Sequence, residues 1–134
     1  MYLNKLSLLL LAVLLFSSAC KDETKRPSFD KDLLYGRWDL SQAWRSNRPI
    51  ETLDDLFYEF YKNGKMRTNF TLDMTPGEFD YSFDGQVIEQ KGGGDLVYMV
   101  DSLGHDKLIM TTVFSNYPFR LALDKTDTLS INRQ

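Results

Sequence analysis

The chain has 134 residues, 43% of them hydrophobic, which is the length of about one domain. Sixteen Lys and Arg against 19 Asp and Glu give a formal net charge of −3, which excludes a strongly basic nucleic-acid-binding protein. A single cysteine excludes an intrachain disulfide scaffold, and nine Phe, seven Tyr and two Trp exclude a largely disordered chain.

Residues 1–19 predict a cleaved signal peptide. One charged side chain, Lys5, precedes an apolar run over residues 6–16, and small residues follow at 17–19. The apolar run is too short to cross a bilayer, because a membrane-spanning helix needs about 20 residues. We therefore expect this segment to be removed from the mature protein.

The cysteine follows these small residues, and residues 17–20 (Ser-Ser-Ala-Cys) resemble the lipobox of bacterial lipoproteins. The resemblance implies that Cys20 becomes the mature N-terminus and carries acyl chains such as palmitate, which hold a protein on a membrane. Next come Lys21, Asp22 and Glu23, which resemble the surface-export signal of lipoproteins from Bacteroidetes-type bacteria. Together they imply an outer-membrane lipoprotein exposed at the cell surface. The alternative for the three charged residues is a solvated tether.

Residues 20–28 are polar and predict a tether, and residues 29–134 predict one mostly β domain. Ser28 is placed to cap a short helix over residues 29–35, which Gly36 ends. Alternating apolar and polar residues then predict about eight short strands, over residues 37–43, 56–61, 65–72, 78–83, 86–90, 96–100, 107–114 and 119–125. This pattern favours an up-and-down antiparallel β-barrel or a closely related sandwich.

Two turns fix the strand register. A three-residue loop at residues 62–64 keeps Met66 on the core face with Phe60, whereas a two-residue loop would place Arg67 there. At residues 84–85 the Asp-Gly pair predicts a two-residue hairpin.

Short motifs in this order resemble the lipocalin family. Gly36 and Trp38 form a Gly-x-Trp motif after the short helix, and residues 60–64 look like the Phe-x-x-Asp/Asn-Gly turn of small bacterial lipocalin-like domains. Further segments fit the same pattern, at residues 81–85, 98–103 and 121–125. The resemblance spans roughly residues 29–125. It implies that Trp38 closes one barrel end beneath a cation from the last strand, either Lys125 or Arg120.

Many of the side chains predicted to point inward are aromatic. They are Trp38, Leu40, Leu56, Tyr58, Phe60, Met66, Phe70, Phe79, Tyr81, Phe83, Ile88, Tyr98, Leu108, Met110, Phe114, Phe119, Leu121 and Leu123. The family resemblance implies a small apolar ligand inside the barrel, with candidate contacts at Trp38, Tyr58, Phe60, Tyr81, Phe83 and Tyr98. The alternative is a barrel that these large rings fill completely.

Two predicted strands are apolar on both faces. Val97, Met99 and Ile109 would form an outer patch, which needs cover from the N-terminal helix, a protein partner or a second copy of the chain.

No residue pattern predicts catalysis, a metal or a cofactor. His105 is the only histidine and lies in a predicted turn, and residues 91–95 (Lys-Gly-Gly-Gly-Asp) lack the Gly-Lys-Ser/Thr ending of a phosphate loop. We expect the glycine segment to be a flexible connection. Tripeptides at 101–103 and 127–129 resemble the O-glycan acceptors of Bacteroidetes exported proteins, which would place glycans on Ser102 and Thr128. Local turns are the alternative.

The sequence thus predicts a non-enzymatic, membrane-anchored lipoprotein whose lipocalin-like domain binds a small apolar ligand or a protein partner. The alternative is a structural accessory subunit of a cell-envelope complex, with a filled barrel and no ligand.

Overall fold

A computed structural model describes residues 26–126. The predicted signal peptide, Cys20, Lys21, Asp22, Glu23 and Thr128 lie outside these residues. The described part contains one 3-10 turn, Lys31–Leu33, and nine strands: β1 (Gly36–Arg45), β2 (Arg48–Ile50), β3 (Phe57–Phe60), β4 (Lys65–Thr68), β5 (Gly77–Phe83), β6 (Val87–Lys91), β7 (Val97–Leu103), β8 (Lys107–Phe114) and β9 (Tyr117–Lys125).

Eight of these strands close into an antiparallel barrel. From β3 to β9 each strand pairs with the next along the chain, and β1 pairs with both β3 and β9. The short strand β2 pairs only with β1 and lies outside the ring. The predicted mostly β, up-and-down antiparallel barrel is therefore confirmed. Closure leaves these eight strands with hydrogen-bonded neighbours on both sides, which removes the exposed edges of an open sheet.

The predicted short helix over residues 29–35 is not confirmed. The chain makes one 3-10 turn, Lys31–Leu33, and its cap is Asp30 rather than Ser28: the Asp30 carboxylate accepts a hydrogen bond from the Asp32 backbone nitrogen at 2.9 Å. Gly36 already begins β1 with φ of 121°. Too few residues separate this cap from the strand to sustain an α-helix, whose first turn is costly to form.

The three-residue loop at 62–64 is confirmed. Phe60 pairs with Met66, the Tyr61 nitrogen donates to the Lys65 carbonyl oxygen at 2.9 Å, and Gly64 adopts a φ of +80°. The predicted face of Met66 is therefore right, because Met66 is fully buried.

The second predicted hairpin is displaced by one residue. Phe83 pairs with Ile88, so the loop is residues 85–86 rather than 84–85. The Asp84 carboxylate accepts hydrogen bonds from the Gln86 and Val87 nitrogens, both at 2.8 Å, which keeps Asp84 at the strand end. The following strand accordingly begins at Val87, one residue later than predicted.

Two hairpins turn through consecutive Ser-Asn pairs. Ser46 and Asn47 have φ of 49° and 64°, and Ser115 and Asn116 have φ of 50° and 68°, which are the positive values of a type I′ turn. The first pair creates β2, a strand that the alternation pattern did not predict. The predicted strand over residues 65–72 is shorter in the structure, because β4 ends at Thr68.

All of the side chains predicted to point inward are buried in the core or packed against it. The core also contains Ala43 and Leu103, which strict alternation places on the outer face. Register shifts between Leu40 and Gln42 and between Val100 and Ser102 explain this difference. Each shift adds one residue to a strand and so reverses which later side chains face inward.

The glycine segment at residues 91–95 forms an exposed turn between β6 and β7 that packs against the Phe79 ring, and its flexibility stays a prediction. The Gly92 nitrogen donates to the Asp95 carboxylate at 2.6 Å, and a Cβ atom on Gly93 would lie only 2.6 Å from the Phe79 ring. Gly77 also faces this ring, since its Cβ would lie 2.7 Å away. The glycines are therefore required for a close approach of backbone to an aromatic side chain.

The two barrel ends differ in construction. We call the end with the 3-10 turn and the loop at 62–64 the closed end, and the opposite end, with the Ser-Asn turns and residues 69–76, the mouth. The chain enters at the closed end, where the Phe29 nitrogen donates to the Gly85 carbonyl oxygen at 2.8 Å.

Candidate functional site

Trp38 seals the closed end together with Lys125. The indole nitrogen of Trp38 donates to the Leu34 carbonyl oxygen at 2.8 Å, and the Lys125 ammonium lies 4.4 Å from the indole centroid. Lys125 also donates to the backbone carbonyl oxygens of Leu33, at 3.2 Å, and Tyr35. Burial lowers the pKa of Lys125 because it penalises the charged ammonium. These contacts join β1, β9 and the 3-10 turn.

Strand register decides which cation reaches Trp38. Trp38 pairs with Lys125 across β1 and β9, whereas Arg120 pairs with Trp44 and stacks on that ring at 5.3 Å. Of the two cations that the family resemblance allowed, Lys125 is the one over Trp38.

A chain of hydrogen bonds crosses the barrel interior. The Tyr58 hydroxyl donates to the Tyr98 hydroxyl at 3.2 Å, Tyr98 donates to Gln90 Oε1 at 3.0 Å, and Gln90 Nε2 donates to the Gly92 carbonyl oxygen at 2.9 Å. Burial raises the pKa of both tyrosines well above the usual range, because it disfavours the phenolate. The interior polar groups are thus bonded to one another.

Side chains fill the centre of the barrel. Trp38, Tyr58 and Tyr98 have no exposed surface and Phe60 is 1% exposed. Tyr58 stacks on Phe60 with centroids 5.9 Å apart and meets Tyr98 edge-on at 5.5 Å. If the interior held a void large enough for a water molecule, the side chains lining it would have water-accessible surface. These four side chains have almost none, so no such void adjoins them. Four of the six candidate ligand contacts therefore lie in a packed core.

The other two candidates, Tyr81 and Phe83, lie at the closed end. Tyr81 donates its hydroxyl hydrogen bond to the Tyr61 carbonyl oxygen at 2.8 Å, and burial, with a smaller effect from Tyr35, raises its pKa to about 12. Both rings line a hollow of about 280 Å³, which we call the end hollow; its walls are Lys31, Leu34, Tyr35, Lys62, Gly64, Tyr81, Ser82 and Phe83. The six candidates do not share one cavity.

Three phenylalanines close the mouth. The Phe70 ring lies 4.8 Å from Phe114 and 5.5 Å from Phe119, and Phe114 and Phe119 are 6.4 Å apart. Phe70 follows the end of β4, where the Thr68 hydroxyl accepts a hydrogen bond from the Phe70 nitrogen at 3.0 Å. The sequence predicted that all three rings point inward, but it did not predict that they meet and plug the mouth.

The outer faces of β7, β8, β9 and β1 form a continuous surface with few charges. Val97 is 50% and Val113 is 63% exposed, while Met99 and Ile109 are partly buried. Strand register places Met99 beside Thr111, Thr111 beside Arg120 and Arg120 beside Trp44, and it places Val113 beside Pro118. We call this surface the outer strip; its residues are Trp44, Val97, Met99, Ile109, Thr111, Val113, Pro118 and Arg120.

A groove of about 560 Å³ runs along the outer strip between Val97 and Pro118. The 3-10 turn packs at the closed end and does not cover this groove. Near Met99 the structure instead places the start of the described chain, where Arg26 Nη1 donates to the Met99 sulfur at 3.6 Å. The predicted cover by an N-terminal helix is therefore wrong, while cover by a partner or second copy stays a prediction.

One polar cluster was not expected from the sequence. Glu59 points to the outer side of β3 and is only 5% exposed, because Arg37 donates to its carboxylate at 2.9 Å and the Tyr61 hydroxyl donates to its other oxygen. Arg37 and Arg67 also lie over the Phe57 ring, at 4.4 and 5.6 Å. The only sequence signal was a carboxylate at Glu59 between aromatic residues, because Arg37 and Arg67 lie on other strands and reach Glu59 and Phe57 through the strand register.

The remaining candidates lie on the surface. His105 is exposed in the turn before β8, and Ser102 is exposed on β7, opposite Ile109. Within residues 26–126 no three His, Cys, Asp or Glu side chains are grouped as metal ligands would be. In the same residues, no helix has the length and apolar character needed to span a membrane.

Comparison with known proteins places the barrel in a fold group. The structure is similar to that of a lipocalin-like protein from Bacteroides uniformis ATCC 8492, with a TM-score of 0.51 and 20% identity over 70% of this chain and 99% of that chain. The fold is lipocalin-like. The predicted resemblance is thus confirmed at the level of the fold.

A second solved structure is less similar. An uncharacterized protein from Bacteroides eggerthii DSM 20697 gives a TM-score of 0.47 and 14% identity over 69% of this chain and 99% of that chain. No protein-family model matches the sequence, and no curated protein matches it.

Proposed function

We propose that this protein is a Bacteroidetes-type lipoprotein, anchored in the outer membrane through Cys20 and exposed at the cell surface. In this proposal its filled lipocalin-like barrel is an accessory module of a cell-envelope complex and contacts a protein partner through the outer strip. The observation that carries the proposal is the packed interior, which includes Trp38, Tyr58, Phe60 and Tyr98.

A packed interior disfavours a carrier of apolar molecules. Ligand sites in proteins are concave and mostly preformed, and an apolar ligand would have to displace rings that already contact one another. The interior hydroxyls of Tyr58 and Tyr98 have partners within the barrel, so neither needs a ligand to satisfy it. Recognition is therefore assigned to the outside of the barrel.

Two exposed apolar side chains support contact through the mouth end of the outer strip. Within residues 26–126, the exposed large hydrophobic side chains are Leu72, Met74, Val97, Val113 and Tyr117; all of them lie towards the mouth, and Val97 and Val113 belong to the outer strip. The tether joins the opposite end. Exposed apolar patches of this kind commonly mark protein contacts.

The proposed anchor is compatible with contact at the mouth end of the outer strip, because the described chain begins beside Gln86 and Met99 and enters the barrel at the closed end. The chain from Cys20 to Arg26 reaches at most about 20 Å when extended, so acylation would hold the barrel close to the membrane. Replacing Cys20 by Ser should abolish palmitate incorporation; undiminished labelling would contradict the anchor. Changing Lys21, Asp22 and Glu23 to Ala should protect the protein from protease added to intact cells.

Native mass spectrometry of the full-length lipoprotein, extracted from its own membrane in a neutral detergent, tests the function. We expect a specific complex that a Val113→Glu variant loses and a Leu72→Glu variant keeps, because both residues are exposed but only Val113 belongs to the outer strip. A bare monomer, or a complex that Val113→Glu retains, contradicts the proposal. A co-purified small apolar molecule would instead favour a carrier.

The same spectra test the two proposed glycans. Intact mass above that of the lipidated chain, lost on replacing Ser102 and Thr128 by Ala, supports O-glycosylation. A mass that matches the bare lipidated chain removes the glycans from the proposal.

A further inference from the structure

We propose that the end hollow binds a phosphate-bearing group. This site lies apart from the outer strip and does not depend on the proposed partner. Its volume of about 280 Å³ accommodates a phosphate together with a neighbouring ring or glycerol unit.

The charge of the hollow is opposite to that of the protein. Lys31 and Lys62 line it and no carboxylate does, although the whole chain has more acidic than basic residues. The nearby Asp84 does not line the hollow. Its carboxylate accepts hydrogen bonds from the Val87 and Gln86 nitrogens, which lower its pKa more than the charge of Lys31 does. Two ammonium groups at one concave site attract an anion.

The hollow contains donors that make no side-chain hydrogen bond within residues 26–126. These donors are the ammonium groups of Lys31 and Lys62 and the hydroxyls of Tyr35 and Ser82, whereas the Tyr81 hydroxyl is bonded to a backbone oxygen. Phosphate oxygens accept several charge-assisted hydrogen bonds at once, which is the arrangement that such a donor set fits.

The backbone segments that carry the two lysines are held in place before any ligand arrives. Lys62 lies in the three-residue loop whose Gly64 carbonyl oxygen accepts a hydrogen bond from the Tyr81 nitrogen at 2.9 Å. Lys31 lies in the 3-10 turn that Asp30 caps. The Tyr35, Tyr81 and Phe83 rings are partly buried and give the hollow an apolar floor. The backbone around the hollow is thus fixed before binding, and a ligand has to order only the exposed side chains of Lys31, Lys62 and Ser82.

The phosphate has two possible sources, because the hollow lies at the end where the tether joins the barrel. One is a phospholipid headgroup of the membrane, and the other is a free phosphate compound. The chemistry that the donors recognise is the same in both cases, so the two sources are separated by experiment.

The test follows amide resonances of Gly64 and Ser82 in the full-length lipoprotein in neutral detergent. The two phosphate probes are inorganic phosphate and, separately, micelles containing phosphatidylglycerol. Phosphatidylcholine micelles, whose headgroup has no net charge, are the control for the anionic micelles. We expect saturable shifts with at least one phosphate probe. A Lys31→Ala and Lys62→Ala double variant should weaken binding by about tenfold or more, which is a loss of about 1.4 kcal/mol or more, because both ammonium groups that attract the anion are removed.

The matched control removes the same net charge elsewhere. Lys91 is exposed at the far end of β6 and Lys107 forms an exposed ion pair with Asp124, so a Lys91→Ala and Lys107→Ala double variant should bind within about twofold of the unmodified protein. Saturation by inorganic phosphate alone assigns a free ligand, and saturation by phosphatidylglycerol assigns the lipid headgroup. The proposal is overturned if neither probe saturates, or if both double variants lose the same affinity.

Discussion

Replacing Phe70 by Ala tests whether the mouth of the barrel is plugged. Phe70 is 2% exposed, and its ring lies 4.8 Å from Phe114 and 5.5 Å from Phe119. Removing a buried phenyl ring costs the transfer energy of its carbon atoms and leaves a cavity, for a total of about 3–5 kcal/mol. We therefore expect the free energy of unfolding to fall by this amount.

Urea unfolding followed by tryptophan fluorescence measures this loss, because Trp38 is fully buried in the core. Leu72→Ala is the matched control: Leu72 lies in the same loop, is 87% exposed, and should change stability by no more than about 0.5 kcal/mol. Comparing the two variants separates the buried ring from any general effect of altering the loop.

A second measurement asks whether the interior is filled. An apolar cavity made by truncation binds small aromatic molecules such as benzene. We expect Phe70→Ala to bind benzene and the unmodified protein not to bind it.

A loss of stability below about 1 kcal/mol would show that Phe70 is not packed as described. Equal benzene binding by both proteins would refute the filled interior, and with it the reason for preferring the outer strip over a carrier function.

Two further predictions concern the glycine turn and the interior tyrosines. Gly93→Ala should destabilise the protein by about 1–2 kcal/mol in urea, since φ is +64° there and the added Cβ would meet the Phe79 ring at 2.6 Å; Gly104→Ala, which meets no atom within 4 Å, should be nearly neutral. If Gly93→Ala and Gly104→Ala lowered the free energy of unfolding equally, the packing of the glycine turn against Phe79 would be contradicted. Raising pH from 10 to 11 should reduce stability by roughly 1 kcal/mol for each of Tyr58 and Tyr98. Burial raises the pKa of both groups, so the unfolded chain loses these protons first, and a variant with Phe at both positions should show a shallower pH dependence of its urea midpoint.

Alternation along single strands predicted most of the core, because each barrel strand has one inner and one outer face. The errors occur where the backbone departs from a simple ladder. Register shifts bring Ala43 and Leu103 inward, and the hydrogen bonds of the Asp84 carboxylate move a hairpin by one residue. Such local irregularities change the face of a side chain without changing the hydrophobic pattern, so alternation alone does not reveal them.

The nature of the candidate sites depended on contacts between distant residues. Tyr58 and Tyr98 each look like part of a ligand cavity until their hydroxyls are seen to bond to each other. Likewise, Lys125 and Arg120 were equal candidates for the cation over Trp38 until strand register separated them. The composition of the interior was predictable, but whether its volume is filled depends on how rings from separate strands pack together.

A filled barrel changes what the lipocalin-like fold can offer. The interior becomes a rigid core, and the available surfaces are the end hollow beside the tether and the outer strip towards the mouth. Strand β8 runs between the two ends, from Lys107 to Phe114; at about 3.3 Å per residue and with the tilt of about 35–45° usual for barrel strands, it separates them by roughly 15–20 Å. That separation lets one end lie near the membrane while Val113 and Val97 remain accessible to a partner. Recognition on the outside of the barrel is consistent with an interior that has no room for a ligand, and it requires no opening of the phenylalanine plug.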